Sequence, residues 1–379
     1  MRRQIGDYYN FVKGKKHIVF YIEDKSDWSY LREIYVKLLE KRLNVVALTS
    51  DKNDNYKDEE EVFFIGRGLR RIILFRKLRA NLLVTTLTDL ETLQLKRSLY
   101  PCEYIYIFHS LASINAVYLD GAFDHYDYIF CSAEHQFSEL RTRFDERGIS
   151  AILLKHGYSK IDRILKQTDL KNFSSKNLKT ILIAPTWGPS SLNVQQIGEI
   201  LNLLKDSYRI ILRLHPMTKK RQIRQYESLI KFLNSENITM QNDTQLLKDL
   251  VVSSLLITDW SGIALEFSLG LKKPTISINT PQKIRNTHYK EEIYQTYEKL
   301  IREKIGAIHS GPIDSKLLEL IEKVLENKNS QDFKQNLEKE LNRVYNIGNS
   351  DSIGSELIAS IFLQNSLNVN AEKFDPSIY

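Results

Sequence analysis

Short apolar runs at regular intervals, each followed by roughly a dozen residues of helical pattern, leave this chain few folds to choose from. HIVFYI (17–22), NVVALT (44–49), VFFI (62–65), NLLVTT (81–86), EYIYIF (103–108), YDYIFC (126–131) and AILLK (151–155) are such runs. Apolar runs this uninterrupted mark strands covered on both faces, the condition of a parallel sheet wrapped by helices. A polar stretch at 167–179 (QTDLKNFSSKNLK) interrupts the rhythm and reads as a linker. The rhythm restarts with TILIAPTW, YRIILRLHP, NITMQ, SLLITDW, TISIN and GAIHS, with helices over 194–205, 219–235, 243–252 and 261–271. The expected fold is α/β, with two Rossmann-like, doubly wound domains facing across a cleft. Residues 1–166 form the first, 180–345 the second, and 346–379 a final helix and tail crossing back to the first.

Ligands of doubly wound sheets lie at the carboxyl ends of the strands, so residues just past each run are the candidates. In LLITDWSGIALEFSLGLKKPTISINT (255–280), a strand, a helix and a second strand leave Asp259, Trp260, Ser261 and Gly262 at the mouth of the helix. Free amides there suit an anion, and Gly262 allows close approach. Ser261 can instead cap the helix, and Glu266, a turn further on, can accept from a ribose hydroxyl or simply meet solvent. RIILRLHPMTKKR (209–221) ends a strand at Pro216, and alternation predicts that Arg213 and His215 point the same way, a pair suited to a pyrophosphate. ILIAPTWGPSSLN (181–193) places Thr186 and Trp187 in the next loop, where they can contact a nucleotide or form a plain turn. YIYIFHSLAS (104–113) ends in His109 and Ser110, an imidazole expected near neutrality and placed for general-base work, unless it is structural.

Composition narrows the partners. A formal charge of +7 and a pI near 9.0 point to something anionic. No CxxC…H pattern or aromatic RNP-like strand signals nucleic acid. GxxxxGK[ST] and GxGxxG are absent, against a P-loop and a nicotinamide cofactor. Without Asp-x-Asp or a His pair at i, i+4, no metal is expected. Two cysteines, Cys102 and Cys131, make no disulfide framework. The opening MRRQIGDYYNFVKGKK lacks the apolar run of a signal peptide, so a cytoplasmic location is expected. RGLRRIILFRKLR (67–79) is a basic amphipathic helix that either lies on an anionic membrane or merely covers the sheet.

FHS near 109, GYSKID at 157–162, APTW at 184–187 with RLHP at 213–216, and TDWSGIALE at 258–266 together resemble the CDP-glycerol glycerophosphotransferase family of teichoic-acid primases and polymerases. The chain has FHS where that family usually has WHG, and Ser-Gly where it has Ser-Ser. The resemblance implies a GT-B-like, metal-independent transferase without a cofactor. A CDP-linked polyol phosphate, glycerol phosphate first among them, would be its donor. The second domain would bind that donor through Thr186, Arg213, Asp259, Ser261, Gly262 and Glu266. His109 would act as base, with Ser110 on the acceptor side, and His215 would stabilise the leaving phosphate. The acceptor would be a lipid-linked saccharide or surface polymer, reached by peripheral contact with the inner membrane face. A GT-B glycosyltransferase using a sugar nucleotide is the alternative that the same sites allow.

Overall fold

A computed structural model describes residues 3–52, 61–92, 95–166, 179–230, 236–241, 246–291 and 294–367. The expected linker at 167–179 therefore lies almost wholly outside the described residues. The chain divides into two compact units, one of residues 1–114, 118–160 and 344–379, the other of 115–117 and 161–343. The boundary thus falls at Lys160 rather than 166.

In the first unit, the described strands form one parallel eight-stranded sheet. They are β1 (Arg3–Gln4), β2 (Ile18–Ile22), β3 (Val45–Thr49), β4 (Val62–Phe64), β5 (Leu82–Thr85), β6 (Glu103–Ile107), β7 (Tyr128–Cys131) and β8 (Ile152–Lys155). Their order is β1-β4-β3-β2-β5-β6-β7-β8, so the winding reverses between β2 and β5. The pairings Tyr21↔Leu48 and Leu48↔Phe63 place these three side chains on one face of the sheet. There Tyr21 meets Phe75 of α3 (Leu69–Arg76) edge-on at 4.8 Å, and Phe63 meets Tyr8 of α1 (Ile5–Val12) at 5.9 Å. Phe20, on the opposite face, meets Tyr35 of α2 (Lys25–Glu40). Helix α2 buries Trp28, Leu31, Ile34, Tyr35 and Leu38, a stripe at helical spacing, and its start is fixed by a capping box of Asp24 and Asp27.

The last helix, Ser350–Leu367, packs on α2 and adds Leu357, Ile358, Ile361 and Phe362 to this core. Two glycines seat it. A Cβ on Gly354 would lie 2.7 Å from the His156 ring, and one on Gly157, whose φ is +108°, would lie 2.4 Å from the Ser350 hydroxyl. The glycine of GYSKID is thus a packing residue.

The second unit carries, among the described residues, a parallel six-stranded sheet. Its strands are β9 (Thr180–Ile183), β10 (Arg209–Leu212), β11 (Ile238–Met240), β12 (Leu255–Thr258), β13 (Thr275–Ile278) and β14 (Gly306–His309). They run β11-β10-β9-β12-β13-β14, reversing between β9 and β12. The single helix expected over 219–235 is two, Pro216–Arg221 and Ile223–Ile230, and 231–235 lie outside the described residues.

Candidate functional site

Where the winding of a doubly wound sheet reverses, the loops on either side part and leave a crevice at the strands' carboxyl ends. In the second unit the two parting loops are Ala184–Trp187 after β9 and Asp259–Gly262 after β12. Asp259 joins them. It is buried, and its two carboxylate oxygens accept from the Thr186 N–H at 2.8 Å and the Leu192 N–H at 2.9 Å. Burial pushes its pKa up, against the pull of those backbone donors. Expected to hold a donor, Asp259 instead clamps the β9 loop, because both oxygens are occupied by backbone amides.

Ser261 does not cap the following helix, α11 (Ile263–Leu271); Gly262 occupies the N-cap and offers no side-chain bond. The opening amides of this nine-residue helix have no side-chain acceptor from the cap. Gly262 has an ordinary φ of −59°, and a Cβ there would meet nothing within 4 Å. Neither backbone nor packing demands a glycine, since a side chain at 262 would project into open space. Glu266 is buried within α11 rather than facing solvent.

His215 caps the helix Pro216–Arg221, its Nδ1 accepting from the Met217 N–H at 3.1 Å. Accepting at Nδ1 leaves the ring proton on Nε2, which makes this imidazole a hydrogen-bond donor outward. Trp187 lies 6.0 Å from the ring, and Arg221 sits over Trp187 at 5.8 Å. Arg213 behaves differently from its expectation. Strand β10 ends at Leu212, and Arg213 turns inward to Asp249, with 2.7 Å between Nη1 and Oδ2 and both side chains buried. Alternation therefore fails one residue before the pair it was meant to align, because a buried carboxylate draws the guanidinium in.

Two cations escaped the sequence reading. Lys283 donates to the Thr186 hydroxyl at 2.8 Å, and burial lowers its pKa while Asp259 and Glu298 pull it up. Arg302 is buried over the Trp260 ring at 4.0 Å and donates to the Ile278 carbonyl; burial lowers its pKa to about 10. The signal for Lys283 was its place in the loop after β13, another carboxyl-edge loop of this sheet. Nothing local marks Arg302.

In the first unit the strands that part are β2 and β5, and β6 lies next to β5. Asp27, the third residue of α2, accepts from the Thr86 hydroxyl just past β5 at 2.7 Å and from the Glu23 and Asp24 amides. Burial raises its pKa to about 6. His109 stands past β6, half-buried, with Nδ1 inside and no hydrogen-bond partner for that atom among the described residues. Burial lowers its pKa to about 4, with the Thr86 backbone opposing and Lys160 adding to the fall. The near-neutral value expected from sequence is overturned by desolvation, which disfavours imidazolium.

Tyr158 of GYSKID donates to the His109 carbonyl at 3.2 Å and stacks on Tyr30, whose ring lies 6.1 Å from His109. Two motifs far apart in sequence thus fix one imidazole. Ser110 turns its hydroxyl to the Ala112 N–H at 3.1 Å, which shapes the loop after His109. Asp27, Thr86, Tyr30 and Tyr158 were all missed. Tyr158 stood inside the GYSKID motif without a role assigned to it, and Asp27 left a trace as the second acid of the capping box.

The family model described as CDP-glycerol:poly(glycerophosphate) glycerophosphotransferase matches residues 113–356. No match to a curated protein is found. Among solved structures, the wall teichoic acid polymerase TagF is similar at 20% identity and a TM-score of 0.61, over 94% of this chain and 91% of that one. The S. aureus MnaA–UDP structure is similar at 13% identity and a TM-score of 0.61, covering 95% of this chain and 99% of that one. A UDP-GlcNAc 2-epimerase of Methanocaldococcus jannaschii gives 13% and 0.55, covering 92% and 99%. At these identities the structures share the fold: two parallel α/β sheets of GT-B-like type.

Proposed function

The chain belongs to the CDP-glycerol:poly(glycerophosphate) glycerophosphotransferase family, and from that premise we propose which residues hold the donor, which take the proton and what receives the transferred group. The observation that carries the donor assignment is the order β10-β9-β12 in the second sheet. His215, Thr186 and Ser261 follow three consecutive strands, which at about 4.8 Å per strand spread over roughly 10 Å, the scale of a diphosphate with its flanking groups. The Nε2–H of His215, the Thr186–Lys283 pair and the α11 amides are the donors to that diphosphate. Asp259 and the Arg213–Asp249 pair hold them in place. A TagF structure soaked with CDPG is among the similar folds, in keeping with this donor.

In the reaction, a hydroxyl of a lipid-linked saccharide or growing surface polymer attacks the β-phosphorus of CDP-glycerol. A new P–O bond forms, the bond from that phosphorus to the bridging oxygen breaks, and CMP departs with the bonding pair. His109 accepts the hydroxyl proton, its half-buried neutral ring being available as a base at pH 7. His215 and the helix amides meet the charge gathering on the leaving phosphate. Cofactor and metal take no part in this scheme, and the protein works at the inner membrane face.

Titration calorimetry with CDP-, CMP-, UDP- and GDP-linked donors tests the reading. CDP-glycerol is expected to bind and to release CMP only when acceptor is added. Binding of a uridine or guanosine donor with none of a CDP-linked one would overturn it.

A further inference from the structure

Strands β6 and β7 lie side by side, so the loop that leaves β6 with His109 meets the start of α5 (Glu134–Arg147). That helix follows β7 after only Ser132 and Ala133. Polar side chains in a helix's first turn usually serve its own free amides or meet water. In α5 they turn inward: His135 is 8% exposed and Gln136 fully buried.

Both Nε2 hydrogens of Gln136 are committed, one to the Ser110 carbonyl at 2.8 Å and one to the Ala112 carbonyl at 3.2 Å. Its Oε1 accepts from the Ser132 N–H at 3.1 Å. Two carbonyls at one end of the amide and an N–H at the other fix its orientation, and only an amide supplies that set. His135 faces the Leu111 carbonyl with Nε2 at 2.9 Å, and since a carbonyl brings no proton, Nε2 is the donor. Glu139, one turn on, accepts from the Ser113 hydroxyl at 2.7 Å and from the Ile114 N–H at 2.6 Å. With Tyr158 on the His109 carbonyl, the consecutive carbonyls of residues 109 to 112 each accept from a buried side chain. A loop outside any ladder or helix holds its shape through such bonds.

We infer that Gln136 is a positioning residue for His109. It touches no reacting atom. It pins the carbonyls of the first and third residues after the histidine, so the half-buried ring stands on a fixed backbone. A general base works only with its nitrogen within hydrogen-bond reach of the proton it takes, and a misplacement of about 1 Å can cost about a hundredfold. The inference rests on the reading of His109 as the base, and the experiment separates the two.

Gln136→Met keeps the length of the side chain and removes its donors. Gln136→Glu keeps the oxygen facing Ser132 and cannot offer two hydrogens. Each is compared with His109→Ala and combined with it, with CMP release as turnover, calorimetry for CDP-glycerol affinity, and melting as the report on the fold. Each Gln136 variant is expected to lower turnover by about tenfold to a hundredfold with donor affinity unchanged. Combined with His109→Ala, neither should lower the rate further, because a residue acting through the ring has nothing left to position. With His109→Ala inactive, a Gln136 variant that melts and turns over like the parent overturns the inference and leaves the base in place. Losses that multiply in the combined variants overturn it as well, and so does failure of both variants to fold, which would assign Gln136 to stability alone. Parental turnover in His109→Ala removes the base itself, and the inference with it.

Discussion

The carboxyl edges of the two sheets are built on the same topology and opposite electrostatics. On the second, cations and open amides gather around a carboxylate, Asp259, whose oxygens are occupied by backbone. On the first, burial strips charge away: His109 is held neutral, the Asp27 carboxyl is raised to about 6, and tyrosines fill the space around them. One edge keeps fixed positive charge for an anion; the other keeps a basic nitrogen uncharged. The contrast teaches that a doubly wound sheet assigns the place of a site, while the residues buried beneath the loops assign its chemistry.

The sharpest way to break the contrast is to remove the neutral base. His109→Ala is expected to lower turnover by about 10²–10⁴-fold with little change in CDP-glycerol affinity, measured as CMP release against calorimetric binding. Loss of donor affinity with turnover preserved would move His109 out of the proton-transfer role. Next comes His215, which both caps a helix and offers a proton. His215→Asn keeps a good N-cap acceptor and loses the outward Nε2–H, so melting should hold while turnover falls by about 10²–10³-fold. Full activity in that variant would reduce His215 to a cap.

Arg213 tests whether the cations of the second edge all serve the donor. Arg213→Met strands Asp249 as a buried unpaired carboxylate and should cost about 3–5 kcal/mol of stability. Adding Asp249→Leu should recover most of that stability and the turnover with it. A double variant that folds yet stays inactive would return Arg213 to the donor's phosphates.

Much of the frame could be read from sequence, because strands covered on both faces are uninterrupted apolar runs. The strand read from SLLITDW is β12, and the helix read over 261–271 is α11, which begins two residues later and ends at the same residue. Partnerships were harder. Arg213 and Asp249 are 36 residues apart, Asp259 and Thr186 73, and Lys283 and Thr186 97. No periodicity links them, so Arg213 and Asp259 looked like donor ligands when one is paired inside and the other clamps a loop. Strand β1 escaped too, being two residues, Arg3–Gln4, without an apolar run. The Thr86 backbone, the Tyr30 ring and the Tyr158 hydroxyl that meet His109 arrive from separate elements, which no local pattern announces.

The smallest effect separates the units by pH. His156 of the first unit is 1% exposed, lies 5.4 Å from the Phe130 ring and packs against Gly354; burial lowers its pKa to about 4 from 6.5. The folded ring resists protonation, so below pH 6.5 the unfolded chain takes the proton first. Stability from this group is complete above 6.5 and is lost as pH falls to about 4, below which both states are protonated. The loss is on the order of 3 kcal/mol, and His109 adds to it with the same sign. Asp27 works the other way, its raised carboxyl stabilising the fold at low pH and losing that contribution as pH rises through about 6. Melting temperature should therefore rise between about pH 4 and 6.5, and His156→Leu should flatten the rise. An unchanged slope in that variant would mean that the buried ring is not what the first unit titrates, and that its contrast with the charged second edge rests on His109 and Asp27 alone.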